Sequence, residues 1–338
     1  MERLTTSPSA GPVCQDEVGR DGHPLKSKTA HHGGDGLAAT PQAIDEASGL
    51  ATVSGLSWPG VNYFCTTRRG GGSGYAWASL NLGLHTGDDS DQVAFNRQTL
   101  CARLPGEPVW LRQVHGSDVF DADAGVVLVG RGDERNTCAP LAQPGPGEAS
   151  DARLAGSELP VADAAITLQP EKVLAIMTAD CLPVVMASAD GTALGVAHAG
   201  WRGLALGVLE NTLHSLRRRR PDVKAWRAWV GPGIGQAHFE VGDEVYQAFV
   251  EHDAASALYF VSKEGEGKWL ADLPSLARHK LARAGVNHIE LSGECTYVRP
   301  DLYFSYRRDG VTGRLATVAW LTQRRVDEGL SPEGSDLP

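Results

Sequence analysis

Two side chains with metal-binding and nucleophilic capacity, Cys181 and His198, flank a short stretch of this 338-residue chain. Cys181 follows Asp180, and His198 precedes the turn Gly200-Trp201-Arg202-Gly203. Between them lie two apolar runs, Pro183 to Ala187 and Thr192 to Ala197, separated by Ser188-Ala189-Asp190-Gly191. Asp-Gly between apolar runs signals a β-hairpin, and a hairpin brings its ends together. The spacing therefore predicts that the Cys181 thiol and the His198 imidazole are neighbours. Such a pair serves either metal ligation or Cys-His nucleophilic catalysis, and the residues alone leave both open, beside a buried thiol next to a core histidine.

Further candidates stand at strand ends and in glycine-rich turns. Val109-Trp110-Leu111 reads as a strand running into Gln113-Val114-His115-Gly116. A histidine where a strand gives way to a loop is rigidly held yet accessible, which suits a ligand or base, though a core histidine fits the same residues. Arg68-Arg69-Gly70-Gly71-Gly72 follows a strand over Val61 to Thr67, and its amides and guanidinium groups could face an anion or form a plain turn. Asn81 sits between Leu80 and Leu82, so it faces away from the core or is buried with partners.

The elements that position these residues can be read from periodicity. A capped helix is expected from Asp88/Asp89 to Leu104, with Val93, Phe95, Leu100 and Leu104 on its apolar side. Leu206, Leu209, Leu213 and Leu216 predict one helix over 204–220, closed by Arg217 to Arg220 at the negative end of its dipole. Strands are expected at Val173 to Met177, Trp226 to Val230, Val286 to Leu291 and Ala316 to Leu321. Helices are expected at Gly242/Asp243 to Val250 and Lys268 to Gly285. Their irregular alternation predicts mixed sheets of an α+β or α/β type. Residues 1–56 are rich in Gly, Ser, Thr, Ala, Pro and charge and read as a disordered tail, in which His31 and His32 are solvated, with order beginning near Trp58. Residues 57–326 read as one domain, interrupted at 122–160 by a flexible surface insertion holding Cys138, and 327–338 as a polar tail.

Bulk properties narrow the function. A net charge of −10 argues against a general nucleic-acid binder. Six cysteines without CxxC pairs suit a reducing compartment rather than a disulfide framework. With no signal-like start and no long apolar run, the expectation is a soluble, cytoplasmic protein without membrane partners. Oligomeric state cannot be read.

Four blocks resemble one family. They are Thr67-Arg68-Arg69-Gly70-Gly71 with Ser79-Leu80-Asn81-Leu82-Gly83; Gln113-Val114-His115-Gly116; Thr178-Ala179-Asp180-Cys181 with His198-Ala199-Gly200-Trp201-Arg202-Gly203; and Ser305-Tyr306-Arg307-Arg308-Asp309. Together, over about residues 58–324, they are similar to the YfiH-like family of laccase-like polyphenol oxidases, peptidoglycan editing factors and purine nucleoside phosphorylases. The resemblance implies an αββα layered α+β domain in which His115, Cys181 and His198 bind one zinc ion. Three protein ligands leave a fourth position open, as catalytic zinc sites do.

The resemblance also implies a purine nucleoside phosphorylase acting on adenosine, inosine and S-methyl-5′-thioadenosine, with adenosine deamination as a side activity. His115, Cys181 and His198 would carry catalysis, with His115 or Asp180 moving a proton in deamination. Arg68, Arg202 and Arg307 are candidates for holding phosphate, and Asn81 for contacting substrate. The alternatives are a Cys-His amide hydrolase editing peptidoglycan precursors, with Cys181 as nucleophile and His198 as base, a zinc-stabilised binding module, and a copper-dependent polyphenol oxidase. Multicopper sites require many histidines, and this chain has no His-x-His, so any phenol oxidation is expected to be slow and to depend on added copper.

Overall fold

The computed structural model describes residues 50–130, 159–263 and 267–323. These build an α+β domain around two mixed or antiparallel sheets packed face to face. The larger has seven strands in the order β13 (His288–Leu291), β9 (Trp226–Val230), β7 (Leu182–Ser188), β8 (Leu194–Ala199), β5 (Ala164–Thr167), β3 (Val119–Asp121) and β4 (Val126–Leu128). The second has four antiparallel strands, β1 (Thr52–Val53), β2 (Val61–Thr66), β14 (Leu315–Leu321) and β6 (Leu174–Thr178). A small antiparallel sheet holds β10 (Glu240–Gly242), β12 (Lys268–Ala271) and β11 (Phe260–Ser262).

Side-chain alternation explains the layering. Strand β7 is buried along its whole length. Its Val184 and Met186 join the core beneath the helices, while Val185 and Ala187 join the core between the sheets. Period-two alternation requires this split. Helices α3 (Val208–Arg219) and α5 (Leu273–Arg283) cover the outer face of the large sheet through Leu209, Leu213, Leu216, Leu276 and Leu281. Helix α1 (Ser90–Cys101) covers the outer face of the four-stranded sheet, where Leu100 meets Ala175, Ala316 and Val318. The layers run α, β, β, α, as the resemblance implied.

The hairpin forms as expected. Leu182 pairs with Ala199 and Pro183 with His198, and Gly191 closes the turn with φ +66°. Other expectations need correction. Order begins before Trp58, because Leu50 and Val53 are buried and Thr52–Val53 pairs with β2. The start of the stretch read as an insertion is structured, since β4 pairs with β3. Phe95 is 53% exposed and belongs to the solvent face of α1. The helix expected over 204–220 is two helices, α2 (Trp201–Ala205) and α3, parted at Gly207 with φ +87°, so Leu206 caps the first instead of joining the face. Lys268 to Ala271 form a strand, and α5 starts after the Asp272 cap. Val109 to Leu111 contribute only an isolated bridge, Val109 with Leu174. Helix α4 spans Asp243–Val250 as expected, and α6 is the single turn Tyr306–Asp309. Most of the segment read as a tail, residues 131–158 with Cys138, and 324–338 lie outside the described residues.

Candidate metal centre

His115, Cys181 and His198 converge, with their ligand atoms all within 4.8 Å of one another. Among the described residues they are the single group of three or more metal-capable side chains drawn this close. His198 is the penultimate residue of strand β8, on the face shared by Leu194 and Val196, towards the second sheet. Cys181 precedes the partner strand β7, and its Sγ lies 3.9 Å from His115 Nε2. The two imidazoles meet edge to face at 4.7 Å between centroids. His198 is buried, whereas His115 and Cys181 keep partial exposure, so the cluster opens to solvent on one side.

Local backbone makes the convergence possible. His115 and Asp180 both adopt left-handed φ, +59° and +92°. Non-glycine residues held there are strained, and such strain gathers at functional sites. Each is tied down. The carboxylate of Asp180 accepts from Thr296 Oγ1 at 2.6 Å and from the Arg307 amide at 2.7 Å. The Gln113 carboxamide donates to Met177 O and accepts from Met177 N, both at 2.8 Å, stitching the His115 loop to β6. Gly200 packs directly on the cluster. A Cβ there would stand 2.8 Å from Cys181 Sγ and 3.1 Å from His115 Cδ2.

Sequence reasoning passed over Asp163, which precedes β5 and is fully buried. Its Oδ1 lies 2.8 Å from His198 Nδ1 and accepts from His115 N at 2.9 Å. Its Oδ2 accepts from Val114 N at 3.1 Å and Gly116 N at 2.7 Å. The available signal was an acid set among Ala162, Ala164, Ala165 and Ile166, where an unpaired charge is costly.

These contacts tune the protonation states. Burial would push the Cys181 thiol up, but the charge of His198 and the hydrogen bond from His115 outweigh it and bring it down to about 6. Burial would depress His198, yet the Cys181 thiolate and the Asp163 carboxylate raise it to about 10. Burial likewise opposes ionisation of Asp163, while His198 and the amides of Gly116 and Val114 hold its carboxyl below the usual range. In the metal-free cluster these contacts favour the thiolate at Cys181, a proton on His198 and the ionised carboxyl of Asp163.

A transition-metal ion fits this donor set. Imidazole and thiolate suit zinc and copper, and ligand bonds of about 2.0–2.3 Å place neighbouring donors of a tetrahedral ion about 3.3–3.7 Å apart. The observed Sγ–Nε2 separation of 3.9 Å lies just outside that range, and the donor set as a whole stays within 4.8 Å.

The residues expected to touch substrate divide. Arg202 stands two positions after Gly200, is exposed, and has its guanidinium over the Trp201 ring at 4.9 Å. Arg307 is brought beside the Cys181 turn by the hydrogen bond its backbone amide donates to Asp180 Oδ2. Its guanidinium donates to Glu240 O at 2.8 Å and lies over Phe239 at 5.0 Å, remaining exposed. Arg68 departs from expectation. It donates to Ala78 O at 2.6 Å and Pro300 O at 3.0 Å and stacks on Phe304, so its guanidinium fastens two loops. Asn81 departs further, being fully buried. Its Nδ2 donates to Gly83 O, Thr86 Oγ1 and Asp88 Oδ2, and its Oδ1 accepts from the amides of Gly83 and Arg314. Those partners exhaust the amide, leaving no capacity for a substrate.

Comparison with known proteins extends the picture. The sequence matches a family model described as multi-copper polyphenol oxidoreductase laccase over residues 62–322. It is 42% identical over 269 residues to a protein of Escherichia coli K12 named purine nucleoside phosphorylase YfiH, covering 78% of this chain and 96% of that one. It is 42% identical over 271 residues to a purine nucleoside phosphorylase of Xylella fastidiosa strain 9a5c, covering 78% and 93%. The fold is similar to the crystal structure of Neisseria meningitidis protein NMB0706 at a TM-score of 0.67 and 37% identity, covering 81% and 100%.

Proposed function

The chain belongs to the family described as multi-copper polyphenol oxidoreductase laccase, and from that premise we propose that it is a zinc-dependent purine nucleoside phosphorylase. Its substrates are adenosine, inosine and S-methyl-5′-thioadenosine. The single observation carrying this reading is the three-ligand cluster of His115, Cys181 and His198, open on one side. The naming of 42%-identical relatives supports it.

Phosphorolysis joins a phosphate oxygen to the sugar C1′ as the bond from C1′ to the purine nitrogen breaks. The base leaves with that electron pair and takes up a proton. His115, Cys181 and His198 would hold the ion, which supplies Lewis acidity at the position they leave open. Arg202 is the candidate for binding and orienting phosphate, because its guanidinium is exposed and it stands four positions after the ligand His198. Arg307 stands next, with donors beyond its bond to Glu240 O. Asp180 holds Arg307 and Thr296 against the Cys181 turn by accepting from the Arg307 amide and Thr296 Oγ1. Adenosine deamination is proposed as a side activity of the same site.

One observation favours a second reading, a Cys-His amide hydrolase: the partly exposed Cys181 Sγ stands 3.9 Å from His115 Nε2 with His198 close by, a pairing that lowers a thiol pKa and suits a nucleophile. Metal content separates the two, because a thiolate bound to an ion is occupied. Multicopper oxidation is less favoured, as the described residues hold one three-donor cluster. The test is to incubate metal-analysed protein with adenosine, with and without phosphate, and resolve the products. Adenine with ribose 1-phosphate, formed only with phosphate, supports phosphorolysis, and inosine supports deamination. Neither product, with a metal-free Cys181 that forms an acyl adduct, would replace both with the hydrolase.

A further inference from the structure

We infer that Asp163 is the positioning residue of the centre: one buried carboxylate sets the ring orientation of His198 and the loop conformation of His115 together. The inference rests on the metal reading above. Asp163 and His198 lie side by side where β5 and β8 run antiparallel, and the His198 amide donates to Asp163 O at 2.7 Å. The two side chains share the inter-sheet face, because Asp163 has the parity of Ala165 and His198 that of Val196.

The carboxylate takes Nδ1 of His198 as its partner at 2.8 Å, which leaves Nε2 as the nitrogen free for an ion. The same carboxylate gathers three consecutive amides, Val114, His115 and Gly116. An L-residue does not choose φ +59° unaided, and these bonds hold His115 in it. Removing the carboxylate would therefore loosen both imidazole ligands at once. Outer partners of ligating histidines typically set metal affinity by about 10- to 100-fold.

Asparagine cannot substitute. It offers one acceptor oxygen where donors press on both carboxylate oxygens, so its NH2 would face N–H groups whichever way it turned. Asp163→Asn and Asp163→Ala are each loaded with zinc, and affinity is measured by competition with a chromophoric chelator. Both should bind about 10- to 100-fold more weakly than wild type. Formate, a carboxylate small enough for the vacated volume, should restore much of the loss in D163A, which a purely architectural role would not allow. Affinity equal to wild type, or a loss that formate leaves untouched, overturns the inference.

Should both variants fail to melt cooperatively, the zinc-loaded wild type decides by ¹⁵N NMR of His198. A protonated Nδ1 with the metal on Nε2 supports Asp163 as orienter, and a metal on Nδ1 overturns it. The two levels are separable. Wild type that takes up no zinc sinks the metal reading along with this one. Wild type that binds tightly while D163N binds as tightly sinks the role of Asp163 alone.

Discussion

Cys181 Sγ lies 3.9 Å from His115 Nε2 although 66 positions separate the two residues. No strand ladder pairs them. The contact exists because a loop folded around a buried acid and a hairpin entered through a left-handed aspartate end at the same point. Each consequence of that meeting can be measured.

In metal-free protein the thiol of Cys181 should behave as an acid with a midpoint near pH 6, set against burial by His198 and His115. The sign follows directly: the thiolate is the nucleophile, so alkylation by iodoacetamide should be slow below the midpoint and reach its plateau above it. His198→Ala removes the chief opposing charge and should move the inflection up towards or beyond the ordinary thiol value of about 8.5. Peptide mass mapping isolates Cys181 from the other cysteines. A wild-type inflection at an ordinary thiol value would contradict the electrostatic account.

Arg202→Ala should raise the KM for phosphate by about 10- to 100-fold, the value of a charge-assisted hydrogen bond of about 1.5–3 kcal/mol. Zinc content should stay unchanged. Arg68→Ala should instead lower thermal stability, because it frees the Ala78 and Pro300 carbonyls and uncovers Phe304. If phosphate KM follows Arg68 rather than Arg202, the assignment of the anion site is wrong.

Asn81→Ala should behave as an architectural lesion. It strands the amides of Gly83 and Arg314, costing about 1–3 kcal/mol per buried unsatisfied group. Denaturant titration should show the loss, while KM for nucleoside in the remaining folded fraction stays at the wild-type value. A raised KM with full stability would restore Asn81 to the substrate site.

Gly200→Ala tests the packing of the cluster. The new methyl would press on Cys181 Sγ and His115 Cδ2, so zinc affinity should fall by at least about tenfold, corresponding to about 1.4 kcal/mol. Chelator competition measures it. Affinity equal to that of wild type would mean that the cluster is looser than its geometry implies.

How far these features could be read beforehand varied with the range of the signal. The hairpin that joins Cys181 to His198 was legible because Asp190-Gly191 and two apolar runs are local. The layered fold came from motif resemblance, and the cores either side of β7 explain it afterwards. Leucine spacing across 206–216 hid the break at Gly207, since a helical period continues through a kink that only the left-handed glycine reveals. Lys268 to Ala271 looked helical because nothing local announces pairing with Glu240–Gly242 and Phe260–Ser262. Asp163 escaped notice because its meaning lies in four donors from two distant segments. For Asn81 the flanking leucines already allow a buried amide with partners, which the structure shows, whereas the substrate role came from the motif resemblance.

The central claim is that His115, Cys181 and His198 hold one ion between them. The direct measurement is metal per chain by elemental mass spectrometry after zinc loading and gel filtration, on wild type and on H115A, C181A and H198A. About one zinc per wild-type chain, with strong loss in each of the three folded variants, is expected. A wild type that retains no stoichiometric metal, or variants that retain it all, would contradict the account.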